Sequence, residues 1–187
     1  MHIKEIPNAI RVGSIAESTR KYGGSKHVLY DYKLTADIDF NFPKDLKKKH
    51  VSMVYIMVVN GVVYKIGQSS CKSGIDGCMS FYFSAGQDDP GINRFGINAL
   101  IRKEMEEGRM VEIYMIYMEP IVVKTPTLFG EAEIVTPVSA KGMEAECLKE
   151  YFEREGSYPV WNFQERNEPL PRWIHKTFGQ YKIDRAA

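Results

Sequence analysis

A chain of 187 residues with 44% hydrophobic and 12% aromatic content is long and apolar enough to bury one sizeable core, which excludes an intrinsically disordered chain. Its 25 Lys and Arg stand against 24 Asp and Glu, a formal charge of +1, so no global basic field announces nucleic-acid binding and any such surface must be local. Three cysteines leave one over if two pair, no stretch resembles a signal peptide, and the longest apolar run falls well short of the ~20 residues that span a bilayer. A soluble protein of a reducing cytoplasm is expected.

The first fifty residues hold ten Lys or Arg and six Asp or Glu and end in Lys47, Lys48, Lys49 and His50. Within them Tyr22-Gly23-Gly24-Ser25 signals a loop and Val28-Leu29-Tyr30-Asp31-Tyr32 a short strand. The stretch reads as an N-terminal elaboration. Next, Val51 to Val59 and Val62 to Gly67 are two β-prone runs joined by Asn60-Gly61, the strongest short-range hairpin signal, because a type I′ turn needs positive φ at both central positions. A short helix is predicted between Ile75 and Phe83, and a turn at Asp88-Asp89-Pro90-Gly91. Apolar residues at 97, 100, 101 and 105 have helical spacing, with Gly108 as a stop. Val111 to Met118 is the third strand, residues 119–138 an excursion with short β segments, and Ala140 to Glu155 a helix ended by Gly156. This order predicts an α+β fold, a small three-stranded antiparallel sheet flanked by helices, with N- and C-terminal extensions.

Common catalytic signatures are missing: no Gly-rich phosphate loop precedes Lys-Ser/Thr, the four histidines are scattered, and neither HExxH nor paired CxxC occurs. What stands out is the hairpin. Met53-Val54-Tyr55 on its first strand and Lys65-Ile66-Gly67 on its second resemble the paired motifs of the GIY-YIG nuclease superfamily. Ala99-Leu100-Ile101, Glu107-Gly108 and Val111 to Tyr114 resemble the family's second helix and third strand as found in phage endonucleases that degrade host DNA. Glu144-Ala145 with Leu148, then Pro159-Val160-Trp161-Asn162, resemble its ending. Pro126 to Gly130, and Lys in place of Tyr before Ile-Gly, resemble its type II restriction endonucleases.

The resemblance implies a nuclease core at residues 51–165, a DNA-gripping extension at 1–50 and a basic, aromatic tail at 166–187. It implies phosphodiester hydrolysis in double-stranded DNA inside a bacterial or phage-infected cell. Attacking water must lose a proton, and a tyrosine accepts it only where its anion is stabilised. Tyr55 is thus the candidate general base, Lys65 the group that tunes it or contacts the scissile phosphate, and Glu144 the single protein ligand of Mg²⁺, for which Mn²⁺ can substitute. Gln68 and Ser69 could reach the phosphate, and Asn162 would hold the end of the site together. Tyr64 should point to the face opposite Lys65 and be structural, because side chains alternate along a strand. Glu146 is the rival ligand, and a solvated acidic helix face is the bland alternative for both carboxylates.

One departure concerns the arginine that the family normally carries on the helix after the second motif. Between Gly67 and Asn93 the only basic residue is Lys72, and Cys78 or Met79 lies nearest the arginine's place. Lys72, Arg94 or Arg102 could supply the charge; otherwise the protein binds DNA without cutting it. Lys47, Lys48, Lys49, Arg172 and Lys176, the last two interleaved with Trp173 and Phe178, are candidate DNA contacts, although the aromatics could equally dock the tail on the core. A homodimer would place two active centres on a symmetric site. A relaxed phage or repair nuclease and a degenerate binding module remain the alternatives.

Overall fold

In a computed structural model the protein is described over residues 1–21, 30, 32–85 and 90–186. The predicted loop at residues 22–25, most of the strand at 28–32 and the first half of the turn at 88–91 lie outside the described residues.

The fold is α+β, and its main sheet has five strands rather than three. In chain order these are β1 (Ile10–Lys21), β2 (Tyr32–Ile38), β3 (Ser52–Val59), β4 (Val62–Ser69) and β5 (Val111–Met118), arranged β2-β1-β5-β3-β4 with every pairing antiparallel. Ile10–Lys21 and Tyr32–Ile38 are therefore strands of the sheet itself, not an elaboration beside it. β1 escapes a period-two reading because of a bulge between Arg11 and Gly13: Val12 and Ile15, three apart, are both buried in the same core. Gly13 is required there, since a Cβ would lie 2.1 Å from the Asp37 carbonyl oxygen.

The helices are α1 (Gly74–Phe83), α2 (Ile92–Glu106), α3 (Ala140–Glu155) and α4 (Arg172–Ala186). α2 starts five residues before the predicted periodicity, because Asn93, Arg94 and Gly96 dilute the apolar pattern around the fully buried Phe95. One sheet face carries Met53, Tyr55, Met57, Ile113 and Met115, packed with residues of α1, α2 and α4. The other carries Val54, Ile56, Val58 and Ile66 under Leu148 and Tyr151 of α3. Every residue of β3 is buried, as a central strand covered on both faces must be. The C-terminal segment is a docked helix: Phe178 and Tyr181 meet Phe95 with ring centroids 5.1 and 6.0 Å apart, and Ile174 is fully buried.

The excursion after β5 is a separate two-stranded ribbon, β6 (Ile121–Thr127) and β7 (Gly130–Thr136). Among the described residues no helix is long and apolar enough to cross a membrane.

Candidate active site

The turn between β3 and β4 has Asn60 at φ 46° and Gly61 at φ 84°, the left-handed geometry anticipated for Asn-Gly. A regular hairpin around it would set Lys65 opposite Ile56, on the face away from Tyr55. Instead the register shifts between Met57 and Val58, leaving Tyr64 as an extra residue, so that Lys65 pairs with Met57 and Gly67 with Tyr55. The bulge brings Lys65 to the Tyr55 face. It also overturns the expected orientation of Tyr64, which packs on that same core, edge-on to Trp161 at 5.2 Å. Gly67 makes room for the Tyr55 ring: a Cβ there would lie 2.3 Å from the phenolic oxygen.

Tyr55 is buried, and its hydroxyl is 2.6 Å from that of Tyr82 on α1. Burial pushes the Tyr55 hydroxyl well above the ordinary tyrosine range, with Tyr82, Cys78 and Glu144 adding to the rise. Tyr82 is raised by burial too, but the hydrogen bond from Tyr55 acts in the opposite direction, favouring its anion. Of the two, Tyr82 lines a cleft of about 400 Å³, together with Lys65, Arg94, Glu144, Trp161 and Glu165.

β4 is an edge strand, and four of its backbone groups find partners outside the sheet at this site. The buried Asn162 side chain accepts from the Ile66 N–H at 2.9 Å and donates to the Ile66 carbonyl at 2.8 Å, and the Trp161 N–H donates to the Tyr64 carbonyl at 2.8 Å. The Gln68 N–H serves Glu144. Residues 161–162 and one carboxylate thus replace a missing sixth strand.

Glu144 reaches the cleft from the first turns of α3, whose start is fixed by Ser139 accepting from the Gly142 N–H at 3.0 Å. Its carboxyl is held above the ordinary range, chiefly by burial and then by the charge of Glu165, against the opposing pull of Lys65, Gln68 N–H and Lys141. Glu146 points to solvent and pairs with Lys149 at 3.7 Å. The Lys65 ammonium is lowered by burial and faces Glu165 and Glu144.

Of the three basic residues proposed for the arginine's place, one comes to the cleft. Arg94, at the start of α2, donates from Nε to the Phe81 carbonyl and from Nη2 to Ser84 Oγ, and its guanidinium lies 4.6 Å from the Phe81 ring centroid. Arg102 is buried at the far end of α2, where its fork is spent on Asn98, Glu17 and the Tyr32 carbonyl. Lys72 is exposed in the turn before α1. Cys78 and Met79 are buried under α1, and burial pushes the Cys78 thiol up to about 11, so it supplies no charge. The Gln68 side chain is exposed over a neighbouring hollow lined by Ser69, Cys71 and Tyr82.

The expected DNA contacts are spread over the surface. Lys47 pairs with Asp76 at 3.5 Å and Lys49 with Glu119 at 2.6 Å, while Lys48, Arg172 and Lys176 are exposed. Two cleft residues escape a reading by motif, Tyr82 and Glu165. Tyr82 lies one helical turn after Cys78, a spacing that becomes informative once α1 is known to set that side chain against Tyr55 of β3. Glu165 has no such signal, because its place depends on the chain turning back after Asn162.

Among the described residues no group of three or more His, Cys, Asp or Glu could chelate a metal unaided. A half-buried carboxylate next to a second one, both open to a cleft, does fit a divalent ion that takes its other ligands from phosphate and water.

No family model matches the sequence, and no curated protein matches it. Among solved structures the chain is similar to a mutant of bacteriophage T4 EndoII, at 22% identity and a TM-score of 0.48 over 87% of this chain and 98% of that one. It is also similar to restriction endonuclease HPY188I in complex with product DNA, at 13% identity and a TM-score of 0.39 over 84% of this chain and 82% of that one.

Proposed function

We propose that this protein is a metal-dependent DNA endonuclease of the GIY-YIG kind. The observation that carries the reading is the convergence in one cleft of a hydrogen-bonded phenol, an ammonium, a guanidinium and a carboxylate, delivered by Tyr82, Lys65, Arg94 and Glu144. Those are the groups that hydrolysis of a phosphodiester asks for: a proton acceptor, positive charge beside the phosphate oxygens, and an anchor for a cation.

The chain's own residues divide the work. Tyr82 meets the attacking water and takes its proton, and Tyr55 behind it donates a hydrogen bond to the anion that this step requires. Arg94 and Lys65 hold the phosphate, Arg94 through the part of its planar fork not used on Phe81 and Ser84. Glu144 would hold Mg²⁺ or Mn²⁺, whose chemistry is to offset charge developing on the phosphate and the leaving oxygen. Asn162 acts on no substrate atom; it ties Ile66, and with it Lys65 and Gly67, to the far wall of the cleft.

The deciding experiment is cleavage of long mixed-sequence duplex DNA with Mg²⁺ or Mn²⁺, run beside EDTA and Glu144→Ala controls. Discrete metal-dependent fragments are expected, absent from both controls, as for a type II restriction enzyme. A metal-dependent smear would mean a nuclease with relaxed sequence preference. A second reading, a DNA-binding module that no longer cuts, is favoured by the neutral, buried Cys78 at the arginine's expected place. Intact DNA with a salt-sensitive gel shift would establish it.

A further inference from the structure

The cleft that gathers Tyr82, Lys65, Arg94 and Glu144 is only partly a polar site. Phe81, Ile97, Trp161, Phe163 and Leu170 line it beside the charged groups. A phosphodiester and a hydrated cation gain nothing from such a wall, because apolar surface takes away water and returns no hydrogen bond. The volume of about 400 Å³ falls instead among sites that enclose a small organic ligand, ~300–1,000 Å³.

Core packing accounts for part of that wall and not for the rest. Ile97 and Trp161 are buried, whereas Phe81 on α1 is 52% exposed and Phe163, just after Asn162, is half-buried. Arg94 ties the open ring to the phosphate end of the cleft: its Nε donates to the Phe81 carbonyl, and its guanidinium lies 4.6 Å from the Phe81 centroid. Tyr82 stands edge-on to the same ring, with centroids 5.3 Å apart. An aromatic face therefore adjoins both the cation assigned to the phosphate and the phenol assigned to water, as base, sugar and phosphate adjoin in one nucleotide. The exposed residues Asn93 and Gln164 add side-chain amides to the lining, and an amide both donates and accepts, as the edge of a base does.

We propose that the apolar part of the cleft takes an unstacked nucleobase, that of a nucleotide next to the scissile phosphate, turned out of the duplex against Phe81 and Phe163 with its edge open to Asn93 and Gln164. Inside a duplex the faces of the bases are covered by their neighbours, so rings that line a cleft meet a base only after it leaves the stack. Leaving the stack costs pairing and stacking energy, which contact with the aromatic side chains offsets. The proposal rests on the reading of the cleft as a nuclease site for the identity of its substrate, and it gives that site a source of selectivity. Positions whose base pairs open readily become the preferred ones, in addition to any sequence read from groove edges.

The test is calorimetric titration of the full chain, in Mg²⁺, with the deoxynucleoside 5′-monophosphates and with 2-deoxyribose 5-phosphate, which keeps the sugar and phosphate but has no base. At least one nucleotide is expected to bind about 5- to 150-fold more tightly than the sugar phosphate, the range of one base–aromatic stack. Phe81→Ala, at an exposed position, should remove most of that margin and leave the affinity for the sugar phosphate as it was, since Arg94 keeps its bonds to the residue 81 carbonyl and to Ser84. Phe163→Ala should act in the same way, with circular dichroism to show that it folds. Arg94→Ala should weaken nucleotide and sugar phosphate alike. Equal affinity for the sugar phosphate and every nucleotide, binding of none of them, or a margin that both phenylalanine variants retain would each overturn the proposal. The cleavage assay separates this outcome from the fate of the nuclease reading: cutting without base-dependent binding keeps the nuclease and removes the base pocket, and base-dependent binding without cutting does the reverse.

Discussion

Two phenols sharing one hydrogen bond hold a single negative charge more readily than either alone, because the second hydroxyl donates to the first. Tyr82 opens on the cleft and Tyr55 is sealed behind it, so their replacements should differ in kind. Tyr82→Phe is expected to lower kcat by about 10²–10⁴-fold, the range of a lost general base. Tyr55→Phe should instead move the ascending limb of the pH–rate profile, set by deprotonation of Tyr82, to higher pH, since Tyr82 loses the donor that favours its anion. Identical profiles for the natural chain and Tyr55→Phe would mean that the pair does not share the proton. Glu144 gives a second test at this scale. Its folded carboxyl lies above the ordinary 4.5, so the folded state holds the proton more tightly than the unfolded one and the ionised group works against folding at neutral pH. Glu144→Gln should therefore melt no lower than the natural chain near neutrality. The gap should close as the pH falls below 4.5, where folded and unfolded chains are both protonated. Mg²⁺ should raise the melting temperature of the natural chain only, a difference that thermal scans with and without the ion would read directly.

At the scale of elements the hairpin is the informative case. β3, its Asn-Gly turn and α3 with its Gly end were legible, because an unbroken apolar run, a forced turn and a helix stop are local signals. The bulge at Tyr64 was not: it arises where Tyr64 props Trp161 and lends it a carbonyl, a contact across almost a hundred residues. β1 was hidden for a related reason, its apolar spacing broken by the bulge at Val12. Legibility of the site follows the same division. Glu144 rests on a helix phase, whereas Arg94, rather than Lys72 or Arg102, is selected only by how α2 lies against Phe81 and Ser84. The Asn162 clamp makes this element-level dependence measurable. Asn162→Ala leaves the Ile66 N–H and carbonyl without their partners, each worth ~1–3 kcal/mol when buried. A loss of about 2–4 kcal/mol in denaturant titrations is expected, with cleavage falling because Lys65 is no longer held. An unaltered midpoint would show that water replaces the side chain without cost.

For the molecule as a whole, the sheet order makes the N-terminal strands indispensable. β1 covers the edge of β5, and Val12, Ile15 and Leu34 belong to the main core. A chain lacking residues 1–50 should aggregate or remain unfolded rather than act as a minimal nuclease, since it bares both an apolar surface and an unpaired edge. A soluble, cooperatively melting truncation would contradict this. By contrast, the ribbon lies outside that core, and the charges placed on it by Val123→Glu and Ile134→Glu should leave the melting temperature of the body within a few degrees. The sheet order also imposes a sequence in time. β3 and β4 close around two residues, a matter of microseconds, whereas Arg11 meets Glu112 across 101 positions and Ile66 meets Asn162 across 96. On a ribosome Tyr55 and Lys65 are brought to one face early on a single hairpin, but the wall that completes the cleft is synthesised near the end of the chain. A nascent chain therefore cannot close the cleft until almost all of it has been made.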